Sequence, residues 1–406
     1  MLRISLLILA LIAIEYYGFI AFKQIFKSTL INTGYLMATI GIISFLTYNF
    51  VNFDFRKGQT EHSLFIFSLT LLYAIPKIVI ALPLLLEDIV RIVRIIFNLI
   101  TLQKISIPHR VTAISLIAIG LSCIPFVAIL YGIYIGKYNF KVTEKTLFFD
   151  DLPDEFDGIR IMQLSDIHSG SLNNSEKVNQ AIALINQQQF DILFFTGDLV
   201  NNFAHEMTPW IDVFSAIKKP QFGKYAVLGN HDYGEYVQWD NQTDKNNNFE
   251  KIKKIHKQID FQLLLNENIA ITKNSSKIFV VGVENWGHNF KQKGDIDLAS
   301  HNLSPSDFKI VLSHDPTHYK YQLAEHPKNF QLTLSGHTHG LQFGLEIANW
   351  FKWSPIQYIY EHWARLYGKN QRLLYVNRGF GFHAYSGRVG IWPEITILEL
   401  KKTQKK

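Results

Sequence analysis

Five short stretches of the chain place carboxylate, imidazole or amide side chains directly after apolar runs. In the clearest of them, Gly229-Asn230-His231-Asp232 follows the apolar residues 225–228. A buried strand that ends in polar residues presents them at the rim of a sheet, where open α/β folds bind their ligands. Taken alone, such a tetrapeptide is also typical of an ordinary turn. Together the stretches contribute seven candidate metal ligands: Asp166, His168, Asp198, Asn230, His314, His337 and His339.

These donors suit a pair of divalent metal ions. Imidazole, carboxylate and amide ligands without thiolate favour Zn²⁺, Mn²⁺ or Fe²⁺ and exclude a structural zinc held by cysteines. Seven ligands exceed what one tetrahedral ion needs, whereas two ions about 3.5 to 4 Å apart, bridged by a carboxylate, would use them all. Capped strand ends that hold no metal are the structural alternative, although burying so many polar groups without a shared partner is costly.

The elements that position these residues alternate between strand and helix. The predicted strands cover residues 159–164, 192–196, 225–228, 277–283, 309–313 and 331–334, after short strand-like pieces at 140–143 and 147–149. Helical patterns cover 175–188, with Ser175 as a candidate cap, and about 210–217. This order predicts a largely parallel core with helices outside.

The first third of the chain has a different composition. The protein has 406 residues, of which 48% are hydrophobic and 18% charged, and residues 1–138 are dominated by Ile, Leu, Phe and Tyr. Four apolar stretches, at 4–21, 34–50, 64–86 and 111–135, are close to the roughly 20 residues that cross a bilayer. A cleavable signal peptide is the alternative for the first, but no small-residue cleavage site follows. We therefore predict a transmembrane region at 1–138 and a catalytic domain at 139–406.

Two features of this region bear on its role. The third stretch carries Pro76, Lys77 and Pro83, which indicates a kinked span, with Lys77 either packed in the helix bundle or lining a water-filled path. Residues 86–102 keep a helical period and form either an interfacial helix or a continuation of the third span. Slightly more Lys and Arg in the loops before the second and fourth spans predicts an extracytoplasmic catalytic domain. The single cysteine, Cys123, excludes an intrachain disulfide.

The order of the polar motifs resembles that of the calcineurin-like metallophosphoesterase superfamily. The motifs Asp-x-His, Gly-Asp-x-x-Asn, Gly-Asn-His-Asp, His and Gly-His-x-His occur in this order between Asp166 and His339. The segments IMQLSDIHSG at 161–170, GHTHG at 336–340 and YVNRGFG at 375–381 are similar to the membrane-anchored bacterial branch with UDP-2,3-diacylglucosamine hydrolase-type enzymes. One departure is Leu341, where related sequences usually have glycine.

The resemblance implies a fold and a set of roles. The fold is an α/β, four-layered αββα sandwich, here preceded by an all-α four-helix transmembrane region. One divalent ion (Mn, Zn or Fe) would be held by Asp166, His168, Asp198 and His339. A second would be held by Asp198, Asn230, His314 and His337, so that Asp198 bridges the pair. His231 would protonate the leaving oxygen or stabilise the phosphoryl charge, and Asp232 would fix the tautomer of His231.

Other polar residues admit two interpretations each. Asn201 either orients substrate or caps a loop, and Arg378, after Asn377, either approaches phosphate or holds a carboxylate. We expect four further histidines to be surface or packing residues: His318, His326, His362 and His383. The aromatic-rich segment 349–367, with Trp350, Trp353 and Trp363, is either a packed lid or a flap at the membrane interface that admits a lipid-bearing substrate.

The sequence thus predicts a membrane-anchored dimetal phosphoesterase of the bacterial cytoplasmic membrane. It would hydrolyse a phosphoester or pyrophosphate bond through a metal-activated hydroxide, in a lipid-linked substrate. The alternatives are a phosphodiesterase or phosphatase for soluble nucleotides, or a non-catalytic, metal-stabilised membrane sensor. We expect no nucleic-acid partner.

Overall fold

The chain divides into two compact units. The computed structural model describes residues 2–102, 105–288, 290, 292–347, 350–369 and 371–404. One unit consists of Met1–Asp54 with Phe65–Ile133, and the other of Phe55–Leu64 with Tyr134–Lys406. The short connection Phe55–Leu64 therefore belongs, by its contacts, with the second unit. The boundary between residues 138 and 139 stays a prediction.

The first unit is built from four long apolar helices. They are α1 (Leu2–Ile25), α2 (Thr29–Val51), α3 (Glu61–Thr101) and α4 (Thr112–Tyr134). Each is long and apolar enough to cross a membrane, as predicted. Helix α3 runs without a break for 41 residues and contains Pro76 and Pro83. Residues 86–101 therefore continue the third span and do not form a separate interfacial helix.

Lys77 is paired within the helical unit. Its Nζ lies 2.5 Å from Glu15 Oε2 and also donates to the Tyr35 hydroxyl. The Tyr73 hydroxyl donates to the same Glu15 oxygen, and Thr39 Oγ1 lies 3.2 Å from Glu15 Oε1. A charged side chain among apolar helices is tolerated when it has such partners. Of the interpretations offered above, the structure therefore matches the packed lysine.

Lys77→Met is expected to lower the free energy of unfolding by about 3 to 5 kcal/mol, because removal of one partner leaves the other charge buried and unpaired. The double variant Glu15→Gln/Lys77→Met should lose less than Lys77→Met alone. Unfolding of the full-length protein in detergent micelles measures both, with the exposed Lys23→Met as the control. Equal stability of wild type and Lys77→Met would contradict a structural role for the pair.

The second unit contains two six-stranded mixed sheets and a small hairpin. The strands are β1 (Lys141–Phe149), β2 (Ile159–Leu164), β3 (Ile192–Phe195), β4 (Lys224–Ala226), β5 (Gln262–Leu263), β6 (Glu267–Lys273), β7 (Ser276–Gly282), β8 (Lys309–Leu312), β9 (Leu332–Ser335), β10 (Leu345–Ile347), β11 (Phe351–Trp353), β12 (Arg365–Lys369), β13 (Arg372–Val376) and β14 (Glu394–Lys402). The first sheet has the order β1-β14-β2-β3-β4-β5 and the second β12-β13-β9-β8-β7-β6, while β10 pairs with β11.

Helices cover the outer faces of the two sheets. They are α5 (Ser175–Gln187), α6 (Ile211–Ser215), α7 (Gln242–Gln258) and α8 (Ile296–Ala299). Successive residues of β3 face opposite sides, because side chains alternate along a strand. Leu193 and Phe195 pack in the core shared with α5, whereas Ile192 and Phe194 pack in the core between the sheets. A third core lies under α8. This confirms the α/β sandwich.

The core is largely parallel, as predicted, although β14 runs antiparallel to β2, and β12 and β6 run antiparallel to their neighbours. The structure corrects one local prediction, the cap of helix α5. Helix α5 is capped by Asn174, whose side chain accepts from the Lys177 N–H at 3.0 Å, so Ser175 is the first helical residue. Asn is among the strongest N-cap residues, which explains the shift.

Candidate metal centre

The structure brings all seven predicted ligands together where strands of both sheets end. Asp166 and His168 follow β2, Asp198 follows β3, and Asn230 follows β4 in the first sheet. From the second sheet, His314 follows β8, and the pair His337 and His339 follows β9. The site is therefore assembled across the core between the two sheets, by loops that lie far apart in sequence.

One group of side chains consists of Asp166, His168 and His339. Their ligand atoms all lie within 4.8 Å of one another. His339 Nε2 is 3.3 Å from Asp166 Oδ1, and within the described residues this buried nitrogen has no hydrogen-bond partner. A buried ring nitrogen aimed at a carboxylate without a hydrogen bond is what a metal ligand requires. The donor set therefore fits a divalent metal ion.

A second group consists of Asp198, His314 and His337, with Asn230 beside them. Asn230 Oδ1 lies 3.0 Å from His314 Nε2 and 2.8 Å from His337 Nδ1. Asp198 Oδ2 lies 3.1 Å from His314 Nε2 and 3.5 Å from His168 Nε2. The Asp198 carboxylate thus faces one histidine of each group.

The backbone at this site is strained. Five of the seven candidate ligands have positive φ angles: Asp166, His168, Asp198, His337 and His339. For residues other than glycine this conformation costs on the order of 1 kcal/mol or more, and such strain clusters at functional sites. The surrounding sheets hold the loops in a conformation that they would not adopt alone.

Two glycines allow the loops to approach closely. A Cβ at Gly229 would collide with the Asp198 carboxylate, and one at Gly336 would collide with Asp166 Oδ2 and Ser165 Oγ. Neither position tolerates a side chain without movement of a candidate ligand. The glycines of the Gly-Asn-His-Asp and Gly-His-x-His motifs are therefore steric requirements of the site.

Hydrogen bonds fix which nitrogen each imidazole turns towards the cluster. His168 Nδ1 lies 3.0 Å from Asn201 Oδ1, and His314 Nδ1 donates to the Thr196 carbonyl at 2.7 Å. His337 is held through its other nitrogen, because Nε2 lies 2.7 Å from the Tyr360 hydroxyl. Such partners orient metal-binding histidines and set their tautomers.

His231 and Asp232 do not form the predicted pair. His231 Nδ1 lies 2.7 Å from the carbonyl of Asn201, so this carbonyl fixes the tautomer in place of Asp232. The Asp232 carboxylate instead accepts from four backbone N–H groups, those of Asp198, Leu199, Val200 and Gly229. Asp232 therefore shapes the loop that carries Asp198.

Burial and neighbouring charges shift the pKa values at this site. Burial raises the pKa of Asp198, but His314 and His231 outweigh it and hold the pKa of Asp198 well below its usual value. Burial and the charge of Asp198 raise the pKa of Asp232 to about 7. Burial lowers the pKa of His231, against the attraction of Asp198. Burial acts to lower the pKa of His314, but the charge of Asp198 outweighs it and raises that pKa to about 10. An ionised Asp198 is the state that a metal ion needs, whereas His314 must lose a proton when it binds one.

Several residues that lie at the site were not predicted from the sequence. The ring of His383 lies 4.8 Å from that of His168 and 4.5 Å from that of His231, although we expected a surface or packing residue. The buried Arg388 places Nη2 3.2 Å from His339 Nδ1, and Tyr236 accepts from Asn230 Nδ2 at 2.7 Å. No local pattern marks these residues, because the fold alone brings them to the ligands.

Other polar residues have structural roles. Arg378 holds the carboxylates of Glu394 and Glu346, each at 2.5 Å, so of its two interpretations the structure matches the carboxylate partner. His318 is buried and stacks on Trp286 with ring centroids 4.9 Å apart, and His326 Nε2 lies 3.3 Å from Asp297 Oδ1. These histidines pack or pair outside the metal cluster.

Leu341 departs from the glycine that related sequences usually have, and the structure shows the consequence. Its φ angle is +53°, in the left-handed region where glycine carries no strain. Its side chain is exposed. Leu341 therefore costs backbone energy without reaching the ligands.

The aromatic segment is partly exposed and partly core. Of the segment predicted at 349–367, Asn349 lies outside the described residues. Trp350 is 83% exposed and Tyr358 78%, whereas Trp363 is 3% exposed and packs against Ile391. The same segment supplies Tyr360, the partner of His337. It therefore joins an exposed apolar surface to a candidate metal ligand.

Comparison with known proteins matches both parts of the chain to families. Residues 159–341 match the family model of the calcineurin-like phosphoesterases, and residues 2–137 match a model described as the transmembrane domain of a probable calcineurin-like phosphoesterase. The chain is 28% identical over 277 residues to the uncharacterized metallophosphoesterase YkuE of Bacillus subtilis, which covers 67% of this chain and 90% of YkuE.

Two further relatives are less similar in sequence to this chain. The uncharacterized metallophosphoesterase YkoQ of Bacillus subtilis is 23% identical over 300 residues, which is 70% of this chain and 99% of YkoQ. The UDP-2,3-diacylglucosamine pyrophosphatase LpxG of Chlamydia muridarum is 25% identical over 277 residues, covering 57% of this chain and 81% of LpxG.

Proposed function

This chain belongs to the calcineurin-like metallophosphoesterase family and carries four helices apolar enough to span a membrane; from this premise we propose that it hydrolyses a phosphoester or pyrophosphate bond in a lipid-linked substrate. The observation that supports a two-metal site is the position of Asp198, whose Oδ2 lies 3.1 Å from His314 and 3.5 Å from His168. One carboxylate facing two ligand groups is the arrangement of a bridged pair of ions.

We assign the ligands to two ions as the resemblance to the family implies. Asp166, His168, Asp198 and His339 would hold one divalent ion, and Asp198, Asn230, His314 and His337 the other. When bound, the ions would polarise the phosphoryl oxygens and make a water molecule more acidic. The donor atoms are nitrogen and oxygen, which bind both hard and borderline divalent ions, so Mn, Zn and Fe all suit these ligands.

His231 would supply the proton for the leaving oxygen. Its Nδ1–H donates to the Asn201 carbonyl, so Nε2 is the nitrogen that would bind a second proton, and His231 would act as the acid in its imidazolium form. The ring lies among His168, His383 and Tyr236, with centroids within 4.8 Å. Asp232 acts indirectly, since it orders the loop that bears Asp198. His231 is therefore the proposed catalytic residue and Asp232 a positioning residue.

The direct test is hydrolysis of bis-p-nitrophenyl phosphate by the full-length protein in detergent micelles. We expect turnover that is abolished by a chelator and restored by Mn²⁺, because the ligand set binds divalent ions in the active state. Turnover that persists in a chelated, metal-free preparation would contradict the proposal.

The exposed part of the aromatic segment supports a lipid-linked substrate. Trp350, Tyr358 and Ile359 belong to one short segment and are each more than 70% exposed, and exposed apolar side chains in number are typical of interaction or membrane surfaces. Aromatic rings are favoured at membrane interfaces. The relative LpxG is named for cleavage of a pyrophosphate bond in a diacylated sugar nucleotide, which is a lipid-bearing substrate of the proposed class.

The double variant Trp350→Ser/Tyr358→Ser is expected to lower kcat/KM for a lipid-bearing phosphodiester presented in mixed micelles by about tenfold or more, since each buried aromatic contributes roughly 1.5 kcal/mol or more. Hydrolysis of bis-p-nitrophenyl phosphate should be unchanged, because neither residue is a candidate ligand. Equal losses on both substrates would count against a role of the segment in admitting lipid, and unchanged hydrolysis of both would favour a soluble nucleotide or another water-soluble phosphoester. The buried Trp363 is not a suitable probe, because its substitution would disturb packing.

We also propose that the protein is integral to a bacterial cytoplasmic membrane, with the catalytic domain outside the cytoplasm. The distribution of Lys and Arg in the loops supports this orientation. An external protease added to intact cells should then cleave the catalytic domain. Protection until the cells are lysed would place the domain in the cytoplasm, the compartment of sugar-nucleotide substrates.

A further inference from the structure

The connection between the second and third helices belongs to the catalytic unit, and its Gln59 contacts two loops of that unit. Gln59 Nε2 donates to Ser171 Oγ at 2.6 Å, and Gln59 Oε1 accepts from the Ala384 N–H at 2.6 Å. One side chain therefore joins two loops of the catalytic unit. The first loop follows the metal ligand His168, and the second contains His383.

The contact with Ser171 continues to a candidate metal ligand. Ser171 Oγ accepts from Asn201 Nδ2 at 3.1 Å and lies 3.3 Å from Asn201 Oδ1, and Asn201 Oδ1 lies 3.0 Å from His168 Nδ1. Ser171 Oγ therefore accepts from the amides of both Gln59 and Asn201, so Gln59 holds the serine in the position from which it orients the Asn201 amide. Asn201 then presents its carbonyl oxygen to the Nδ1–H of His168, which turns Nε2 towards Asp198.

The connection is well anchored, so that Gln59 has a defined position. Gly58 has a φ angle of +62°, and a Cβ there would collide with Val237. Thr60 and Ser63 exchange hydrogen bonds at the start of α3, with Thr60 N 2.8 Å from Ser63 Oγ and Ser63 N 3.2 Å from Thr60 Oγ1. Leu64 is buried in the core of the catalytic unit.

The second contact fixes a strained part of the site. Ala384 has a φ angle of +66°, a conformation that non-glycine residues keep only when their surroundings hold it. Its N–H is held by Gln59, and the preceding residue, His383, lies beside the rings of His168 and His231. Loss of Gln59 would therefore release both loops that flank the ring of His168.

We propose that Gln59 is a positioning residue for the metal ligand His168, acting through Ser171 and Asn201, so that a loop between two membrane-spanning helices completes the metal centre. The proposal rests on the proposed function only for the assignment of His168 as a ligand. It implies that a catalytic unit without residues 55–64 binds metal more weakly at one of its two sites.

Mn²⁺ binding to the full-length protein in detergent micelles, followed by electron paramagnetic resonance of free Mn²⁺, tests the proposal without turnover. Gln59→Ala should weaken binding about tenfold at the His168 site, since partners of metal ligands contribute about 10- to 100-fold to affinity. Binding at the His314 site should stay unchanged. The variants His168→Ala and His314→Ala assign the two binding steps, and Arg56→Ala, which removes the contact of the same loop with Gln238, is the matched control.

Two further variants separate positioning from folding. Gln59→Glu keeps the side-chain shape, but its carboxylate can only accept a hydrogen bond from Ser171, whereas the Gln59 amide donates one. This variant should therefore weaken Mn²⁺ binding at the His168 site. Ser171→Ala should reproduce the loss, and Gln59→Ala/Ser171→Ala should lose no more than the larger single effect, because the two residues act in one chain of bonds. Unchanged Mn²⁺ affinity, or equal weakening at both sites together with a lower Tm, would overturn the proposal. A protein that binds Mn²⁺ as expected but shows no hydrolysis would instead count only against the proposed function.

Discussion

Asp198→Asn is expected to lower kcat/KM for phosphodiester hydrolysis by on the order of 10⁴-fold, because bound metal ions supply several kcal/mol of charge stabilisation and each 1.4 kcal/mol or so corresponds to tenfold. An asparagine side chain keeps the shape of Asp198 but lacks the negative charge that offsets repulsion between two cations. The backbone contacts of the residue, including the bond that its own N–H donates to the Asp232 carboxylate, can persist. The loss should therefore reflect metal binding and not unfolding.

Metal content measured by mass spectrometry of the purified full-length protein checks this directly. Wild type should contain about two divalent ions per chain and the variant one or none. Asp212→Asn, an exposed carboxylate on α6, is the control that should keep both ions. If the Asp198→Asn variant retained two ions and full turnover, the result would contradict a bridging role for Asp198.

The candidate ligands could be predicted because each follows a buried strand within a few residues. Asp166, Asp198 and His314 lie just beyond β2, β3 and β8, and the hydrogen-bond partners of their side chains come from distant segments. The apolar runs mark the strands, and the convergence of strand ends follows from the α/β architecture. Local sequence therefore carried most of the information about which residues meet.

The role of Asp232 could not be predicted from its place beside His231. Asp198 has a positive φ angle, and the backbone N–H groups that follow it converge to form a small anion site. The Asp232 carboxylate fills that site. The conformation of one loop thus decides the partner of a residue 34 positions later, and no pairing rule between adjacent residues captures it.

The residues that orient the candidate ligands could not be predicted either, because their contacts also depend on the fold. Arg388 contacts His339 from a segment with no motif, and Tyr360 contacts His337 from the aromatic-rich segment, whose pattern does not single it out. Gln59 bonds to Ser171, which lies 112 positions away in sequence. Their polar atoms are satisfied only in the folded chain. Sequence patterns predict the groups that converge, whereas the hydrogen bonds that orient those groups depend on long-range packing.

His231→Ala is expected to lower kcat by about 10² to 10⁴-fold for a substrate with a poor leaving group, because general acid catalysis contributes that much when the leaving oxygen needs a proton. The loss should be much smaller for a p-nitrophenyl ester, whose leaving group departs without protonation. Metal content should stay at the wild-type value, since the ligands remain. His205→Ala, an exposed histidine in the same unit, is the matched control.

This comparison also separates an enzyme from a metal-stabilised sensor. A sensor needs ligands but no proton donor, so His231→Ala would leave its metal binding and its cellular function intact. For an enzyme, the dependence of the loss on the leaving group assigns the proton transfer to His231, because a ligand or structural residue would affect both substrates alike. Equal losses on the two substrates would therefore assign the role of general acid to another residue near the leaving oxygen. His383, whose ring centroid is 4.5 Å from that of His231, would be the next candidate.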